Sequence, residues 1–298
     1  NFEEFKAWVK ENITSKDWKE TSQVEISVVK KNNGVSKAGL FIRESGQDVS
    51  PILYLDDYYI HYQNGELLEN VIKKIRDDYN EKVQMAAVKI PNLQEFENVR
   101  GKIIYRLVNY EKNKELLEDC PHRRLHDLAV TFRWVAHIDN DGVSTSLITN
   151  RQVKEWGITV NDLVLAAQQN TPRLFPAKII DMEEMLAGKV SFILYPSAIP
   201  MYILTNEQEV NGASALLYGD VLKDFANKKG TDMYILPSSI HEVILLPSDR
   251  INDPTKLLSM VHDANTTVVS IGDVLSDSVY YYDRKTDHIT EIVSDEKM

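Results

Sequence analysis

The chain has 298 residues, 43% of them hydrophobic and 27% charged, which is ample material for a folded core. Its formal net charge of -11 repels phosphate backbones at long range and disfavours nucleic acid as a partner. A single cysteine, Cys120, rules out an intrachain disulfide and fits a reducing compartment, read here as the cytoplasm; no apolar run approaches the roughly 18 residues a membrane span needs.

In chain order, Phe2, Phe5, Trp8, Val9 and Ile13 recur at helical spacing and predict an opening amphipathic helix. The segment has no basic region leading into an apolar core, so it does not read as a signal peptide. It also lacks an initiator Met, as a processed or trimmed chain would, which leaves a removed leader open. "VEISVVKKNNGVSKAGLFI" predicts a hairpin about Asn32-Asn33-Gly34, a turn signal that needs positive φ. "PILYL" is a third short strand. After a turn at Asn64-Gly65, Leu67, Leu68, Val71, Ile72, Ile75 and Tyr79 mark one face of a helix ending near Glu81.

Residues 82–101 carry mixed signals and Pro91, so a boundary is placed there. "GKIIYRLVNY" is a strand and "EKNKELLEDC" a short helix stopped by Pro121. "DLAVTFRWVAHI" and "VSTSLI" form a hairpin about Asp139 to Gly142. Strands at "MYILT", "DMYILP", "EVILLP" and "SVYYYD" follow. Helices at Val160 to Asn170, Asp220 to Lys229 and Pro254 to Asn265 lie among them, before a closing hairpin. These elements predict an α+β fold of mainly antiparallel or mixed sheets with packed helices. Two subdomains are expected: a helix-hairpin-helix unit over 1–90 and an α+β domain over 91–298. The strand-helix alternation after residue 200 leaves room for some parallel pairing.

"LITNRQV" and "ILTNEQEV" echo one another. In each, a Gln stands three residues after a Thr, Thr149 with Gln152 and Thr205 with Gln208, which is the spacing of a capping box.

The stretches "CPHRRLHDLAVTFRW", "SLITNRQVKEWGITVNDLVLAAQQNTPRLFP", "YILTNEQEVNGASALLYGDVLKDFA", "DMYILPSSIHEVILLP" and "VLSDSVYYYDR" together resemble an uncharacterised domain family, of unknown function, from gut clostridia and related Firmicutes. The resemblance runs from about Pro51 to Arg284. It implies an intracellular bacterial protein. It brings no activity, substrate, cofactor or site residue to carry over.

Candidate chemistry therefore rests on the residues alone. In "PSSIHEVILLPSD", Ser239 and His241 are two apart, and on a strand they would share a face with Cα atoms about 6.6 Å apart, within reach of a Ser/His pair. Glu242 would point the other way, no Gly-x-Ser-x-Gly elbow is present, and Leu245 stands where a zincin needs its second histidine. The bland reading is a turn leading into a buried strand, with His241 on the face of Val243 and Leu245 and Glu242 on that of Ile244 and Leu246.

"CPHRRLHD" places Cys120, His122, His126 and Asp127 together, but a structural zinc site lacks its fourth dependable ligand, so no metal is expected. Arg123 and Arg124 could hold a carboxylate or phosphate, although pairing with the chain's own acids is the better reading. Asp56 and Asp57, beside Tyr58, Tyr59, His61 and Tyr62, could run glycoside chemistry or hold a cation; as adjacent residues at a strand end they more plainly cap the next helix. No phosphate-binding glycine loop occurs, so no cofactor is expected. The sequence reading is a cytoplasmic binding or regulatory module with a protein partner, no membrane and no nucleic acid. The alternative is a hydrolase using Ser239 and His241, and whether the chain is an enzyme stays open.

Overall fold

The computed structural model describes residues 1–13, 23–43, 50–87, 93–139, 142–187 and 199–292. The chain divides into two compact units, Asn1–Pro91 and Asn92–Met298.

The first unit opens with α1 (Phe2–Ile13), whose Phe5, Val9 and Ile13 are buried at the expected helical spacing. β1 (Gln23–Lys30) and β2 (Ser36–Arg43) pair antiparallel about a turn in which Asn33 has φ 57° and Gly34 φ 71°. Both values lie in the left-handed region that Asn and Gly tolerate, which is why this sequence turns there. β3 (Ile52–Tyr54) adds to β2, giving the order β1-β2-β3. "LDDYYIHYQ" then forms a helix of its own, α2 (Leu55–Gln63), with Asp56 and Asp57 in its first turn, where carboxylates suit the positive end of the helix dipole. α3 (Leu68–Ala87) runs past the expected end near Glu81. Its Val71, Ile72, Ile75 and Tyr79 enter the core with α1 and the sheet. Leu67, assigned to that face from sequence, precedes the helix and is 69% exposed.

The second unit begins with α4 (Phe96–Arg100), β4 (Ile103–Asn109), α5 (Lys114–Glu118), β5 (His122–Leu125), β6 (Leu128–Asp139) and β7 (Gly142–Leu147). β6 is the long strand. β4 pairs along one edge, while β5 and β7 share the other edge, β5 at its start and β7 at its end. Residues 140 and 141 of the expected hairpin turn lie outside the described residues. The free edge of β4 is closed by side chains: Thr171 Oγ1 accepts from the Tyr105 N–H (3.2 Å) and Ser214 Oγ from the Leu107 N–H (3.2 Å). Hydroxyls thus stand in for a missing strand and leave these buried amides paired.

α6 (Asn150–Trp156) and α7 (Val160–Leu174) follow, each opened by a capping box, Thr149 with Gln152 and Thr159 with Asp162. Then come β8 (Ala177–Asp181), α8 (Met182–Ala187), β9 (Tyr202–Asn206), α9 (Val221–Lys229), β10 (Met233–Leu236), β11 (Val243–Pro247), α10 (Thr255–Thr267), β12 (Val279–Asp283) and β13 (His288–Ile292). These strands make a six-stranded sheet in the order β13-β12-β10-β11-β9-β8. Every pairing within the three sheets of the described residues is antiparallel, so the room left for parallel strands after residue 200 is not used. The physical reason is that β10 and β11 meet through a short turn, as do β12 and β13, and short connections impose antiparallel pairing. The fold is α+β, with antiparallel sheets and packed helices. Asp127 ties the two sheets of this unit together, accepting from the Ser276 hydroxyl (2.6 Å) and the Tyr280 hydroxyl.

Candidate functional site

Ser239 and His241 do not stand on a strand. They lie in the Pro237–Glu242 turn between β10 and β11, stitched to the segment after α10: Ser276 N–H donates to Pro237 O (2.9 Å), Leu275 N–H to Ser238 O (3.0 Å) and Ile240 N–H to Asp273 O (2.8 Å). Ser239 is 5% exposed, and its Oγ accepts the His241 backbone N–H at 3.0 Å. The His241 ring is held from both sides. Its Nδ1 accepts the Asn211 N–H (3.3 Å), which places the ring proton on Nε2, 3.5 Å from Asp273 Oδ1. Neither ring nitrogen is left to receive a serine proton. The expected split of His241 and Glu242 to opposite faces of a strand does not occur, because β11 starts only at Val243 and both side chains are half-buried ahead of it. Val243, Leu245 and Leu246 are buried, as a core strand requires.

The "CPHRRLHD" residues disperse. Cys120 is buried beside Val108, Leu117 and Ala129, and burial pushes its thiol up to about 11. His122 Nδ1 bonds Cys120 O. His126 sits in the β5–β6 turn at φ 54°, with Nε2 against Ile289 O. Asp127 faces Ser276 and Tyr280. Arg123 donates to the Asn161 amide oxygen. Arg124 lies over the Tyr110 ring and donates to His126 O, so the partners seen for both arginines are neutral and not the acids expected. Asp56 accepts the Ala38 N–H and Asp57 pairs with Lys37, so the two carboxylates diverge into structural roles. Tyr59 and Tyr62 pack against Phe5 of α1.

The convergence that does exist lies on the four-stranded sheet. Ile104 stands opposite Arg133, and Arg106 opposite Thr131, so alternation puts Ile104, Arg106, Thr131 and Arg133 on one face. That face is apolar at either end, with Val108 and Ala129 in one cluster and Ile104 and Val135 in another. Two arginines lie between. They line a small cavity with Val143 and Thr145 of β7, Thr171 and Phe175 from the end of α7, and Asn206, Asn211, Ser214 and Tyr218 from the stretch after β9. The cavity leaves about 10 Å³ for the centres of water molecules, space for about one water.

Arg133 is fixed by Thr145, which takes its Nε (2.7 Å) and a terminal nitrogen (3.2 Å). Arg106 Nε is buried and has no hydrogen-bond partner among the described residues; the same holds for Tyr105 Oη. Desolvation, reinforced by the neighbouring Arg133 charge, draws the Arg106 guanidinium down to about 10, and Asp273 offsets this only in part. Asp273 also faces His241, and Asn211 both lines the cavity and holds the His241 ring. The serine-histidine turn thus meets the arginine-lined cavity through Asn211, while Ser239 and His241 are not among the residues that line it.

Residues 2–284 match a family described as "Family of unknown function (DUF5688)". The chain belongs to this family. No curated protein and no solved structure matches it. For this DUF5688 chain the residues that sequence reasoning passed over are Arg106 and Arg133. Each is embedded in an apolar run, "IIYRLV" and "VTFRWV", at a position where strand alternation points into a packed face. A charge at such a position is the signal that was available. What could not be read is that β4 and β6 are neighbours in a register that sets the two charges side by side.

Proposed function

We propose that this DUF5688 protein is a cytoplasmic binding or regulatory module with a protein partner, and that the Ser239–His241 turn is a structural wall of its second unit, not a nucleophile. The observation that carries the reading is the double commitment of the His241 ring, Nδ1 to the Asn211 N–H and Nε2 to Asp273. A serine nucleophile needs a ring nitrogen free to take its proton, with the carboxylate on the other nitrogen. Here the carboxylate faces one nitrogen and a backbone amide occupies the other. The -11 charge supports a protein partner over nucleic acid, no helix among the described residues is long and apolar enough to cross a membrane, and the single Cys120 suits a reducing compartment.

The hydrolase alternative has one point in its favour, the Asp273 carboxylate at 3.5 Å from His241, and it is tested directly. A broad ester, amide and phosphoester screen is run on the wild type and on Ser239→Ala, beside a native pull-down read by mass spectrometry. We expect no turnover that depends on Ser239 and a co-purifying protein. Turnover that vanishes in a stably folded Ser239→Ala variant would overturn the reading.

A further inference from the structure

We infer that His241 is a proton-operated latch: its neutral ring holds Asn211 and the loop after β9, and protonation of the ring lets them go. The inference rests on the ring geometry that also carries the structural reading of the Ser239–His241 turn. Asn211 N–H donates to His241 Nδ1 at 3.3 Å, joining two segments 30 residues apart. A neutral imidazole has one acceptor nitrogen and an imidazolium has none. With Nε2 already carrying its proton toward Asp273, the added proton goes to Nδ1. There it removes the acceptor of Asn211 and sets two N–H groups face to face. On the far side of the ring the same proton creates an ion pair with the Asp273 carboxylate, 3.5 Å from Nε2. Both side chains are part-exposed, so solvent protons reach the ring. Protonation thus trades one contact for another, which is the chemistry of a switch.

The loop is built to respond. Glu209 has φ 55° and Asn211 φ 52°, both in the left-handed region that side chains resist, so the conformation depends on the contacts that hold it. Most of those contacts are indifferent to protons: the Asn206 side chain bonds Val210 N–H and O, and Ser214 N–H donates to Asn211 O. The turn is also tied to this region by Ala213 N–H to Ile240 O (3.2 Å) and by Thr205 Oγ1 to His241 O (2.8 Å), again without a titrating group. The response is therefore confined to Asn211 and does not undo the turn. The charged groups about the latch come from four places. Asp273, after α10, faces the ring, and Glu242 follows it in the turn. Glu209, in the loop, is paired with Lys178 of β8, and Arg106 of β4 feels the Asp273 charge.

The test is NMR on the full chain from about pH 8 to about pH 6, a range in which histidines change charge. Imidazole 15N shifts report the ring, and amide hydrogen exchange, corrected for its intrinsic pH dependence, reports Asn211. At the alkaline end Nδ1 should be bare and the Asn211 amide protected. As the ring gains its proton, Asn211 protection should fall about fivefold to tenfold, the loss of one hydrogen bond, in step with the ring. The Ala213 and Ile240 amides should keep theirs. The chain has 7 histidines, so a variant isolates this one. His241→Asn sets an amide oxygen near the place of Nδ1, an acceptor that does not titrate, and should hold Asn211 protection level across the range. Should that variant fail to fold, the wild-type comparison of Asn211 with Ala213 decides alone. A ring that takes up no proton, a ring that does so while Asn211 protection stays level, or an equal fall in His241→Asn would each overturn the latch. In those cases the structural reading of the turn stands if Nδ1 is bare at the alkaline end; a proton found on Nδ1 there would overturn both.

Discussion

Cys120 shows how one buried side chain sets a reactivity. It is 1% exposed, and its thiol is raised to about 11 chiefly by that burial. The thiolate is the reactive form, so both enclosure and proton retention slow its attack on a disulfide reagent. We expect native protein at pH 8 to react with Ellman's reagent far more slowly than protein unfolded in guanidinium, and intact mass without reductant to match the monomer. Prompt native labelling would contradict this. Gly212 makes the opposite kind of statement, about space. A Cβ there would stand 2.1 Å from Thr205 Oγ1 and 2.4 Å from His241 O. Gly212→Ala must therefore break the Thr205–His241 hydrogen bond or shift the backbone. A loss of about 1–3 kcal/mol is expected from denaturant melts, the usual cost of forcing extra atoms into a packed site.

At the scale of elements, the two Thr-x-x-Gln echoes separate. Thr149 and Gln152 form the capping box that their spacing predicts. Thr205 and Gln208 do not: Thr205 Oγ1 donates to His241 O (2.8 Å), and the chain turns through Glu209 and Asn211 at positive φ where a helix would start. Gln208 Oε1 has no partner among the described residues. Local spacing was legible in both cases, but only the partner brought by the fold decided which one capped a helix. α1, the Asn33-Gly34 hairpin and the closing β12–β13 hairpin were readable because their signals are local. α2 and β8 were not: "LDDYYIHYQ" mixes strand-forming tyrosines with a helical outcome set by packing, and Ala177–Asp181 is a short edge strand with no fully buried position. Two melts weigh the β10–β11 turn against the strand it feeds. Leu245→Ala, at 0% exposure, should cost about 2–5 kcal/mol. Ser239→Ala, which loses one hydrogen bond to the His241 N–H, should cost about 1 kcal/mol. Equal losses would mean that the turn matters more than its contacts imply.

On the scale of the whole molecule, each unit carries its own core. The first is built on Phe5, Val9, Leu40, Leu53, Ile75 and Tyr79; the second includes the cluster of Leu236, Leu246, Leu257 and Val261 on its six-stranded sheet. Units with separate cores fold separately. We propose that residues 1–90 and 91–298 are two domains, and expect each, expressed alone, to unfold cooperatively with retained far-UV helical signal; an unfolded 1–90 fragment would argue against it. For the protein as a whole, the central claim is that Ser239 is a turn residue whose histidine neighbour has no ring nitrogen to spare. The most direct measurement is intact mass after incubation with a fluorophosphonate, a reagent that derivatises activated serines. Unmodified protein is the result predicted; a stoichiometric adduct mapped to Ser239 would contradict it.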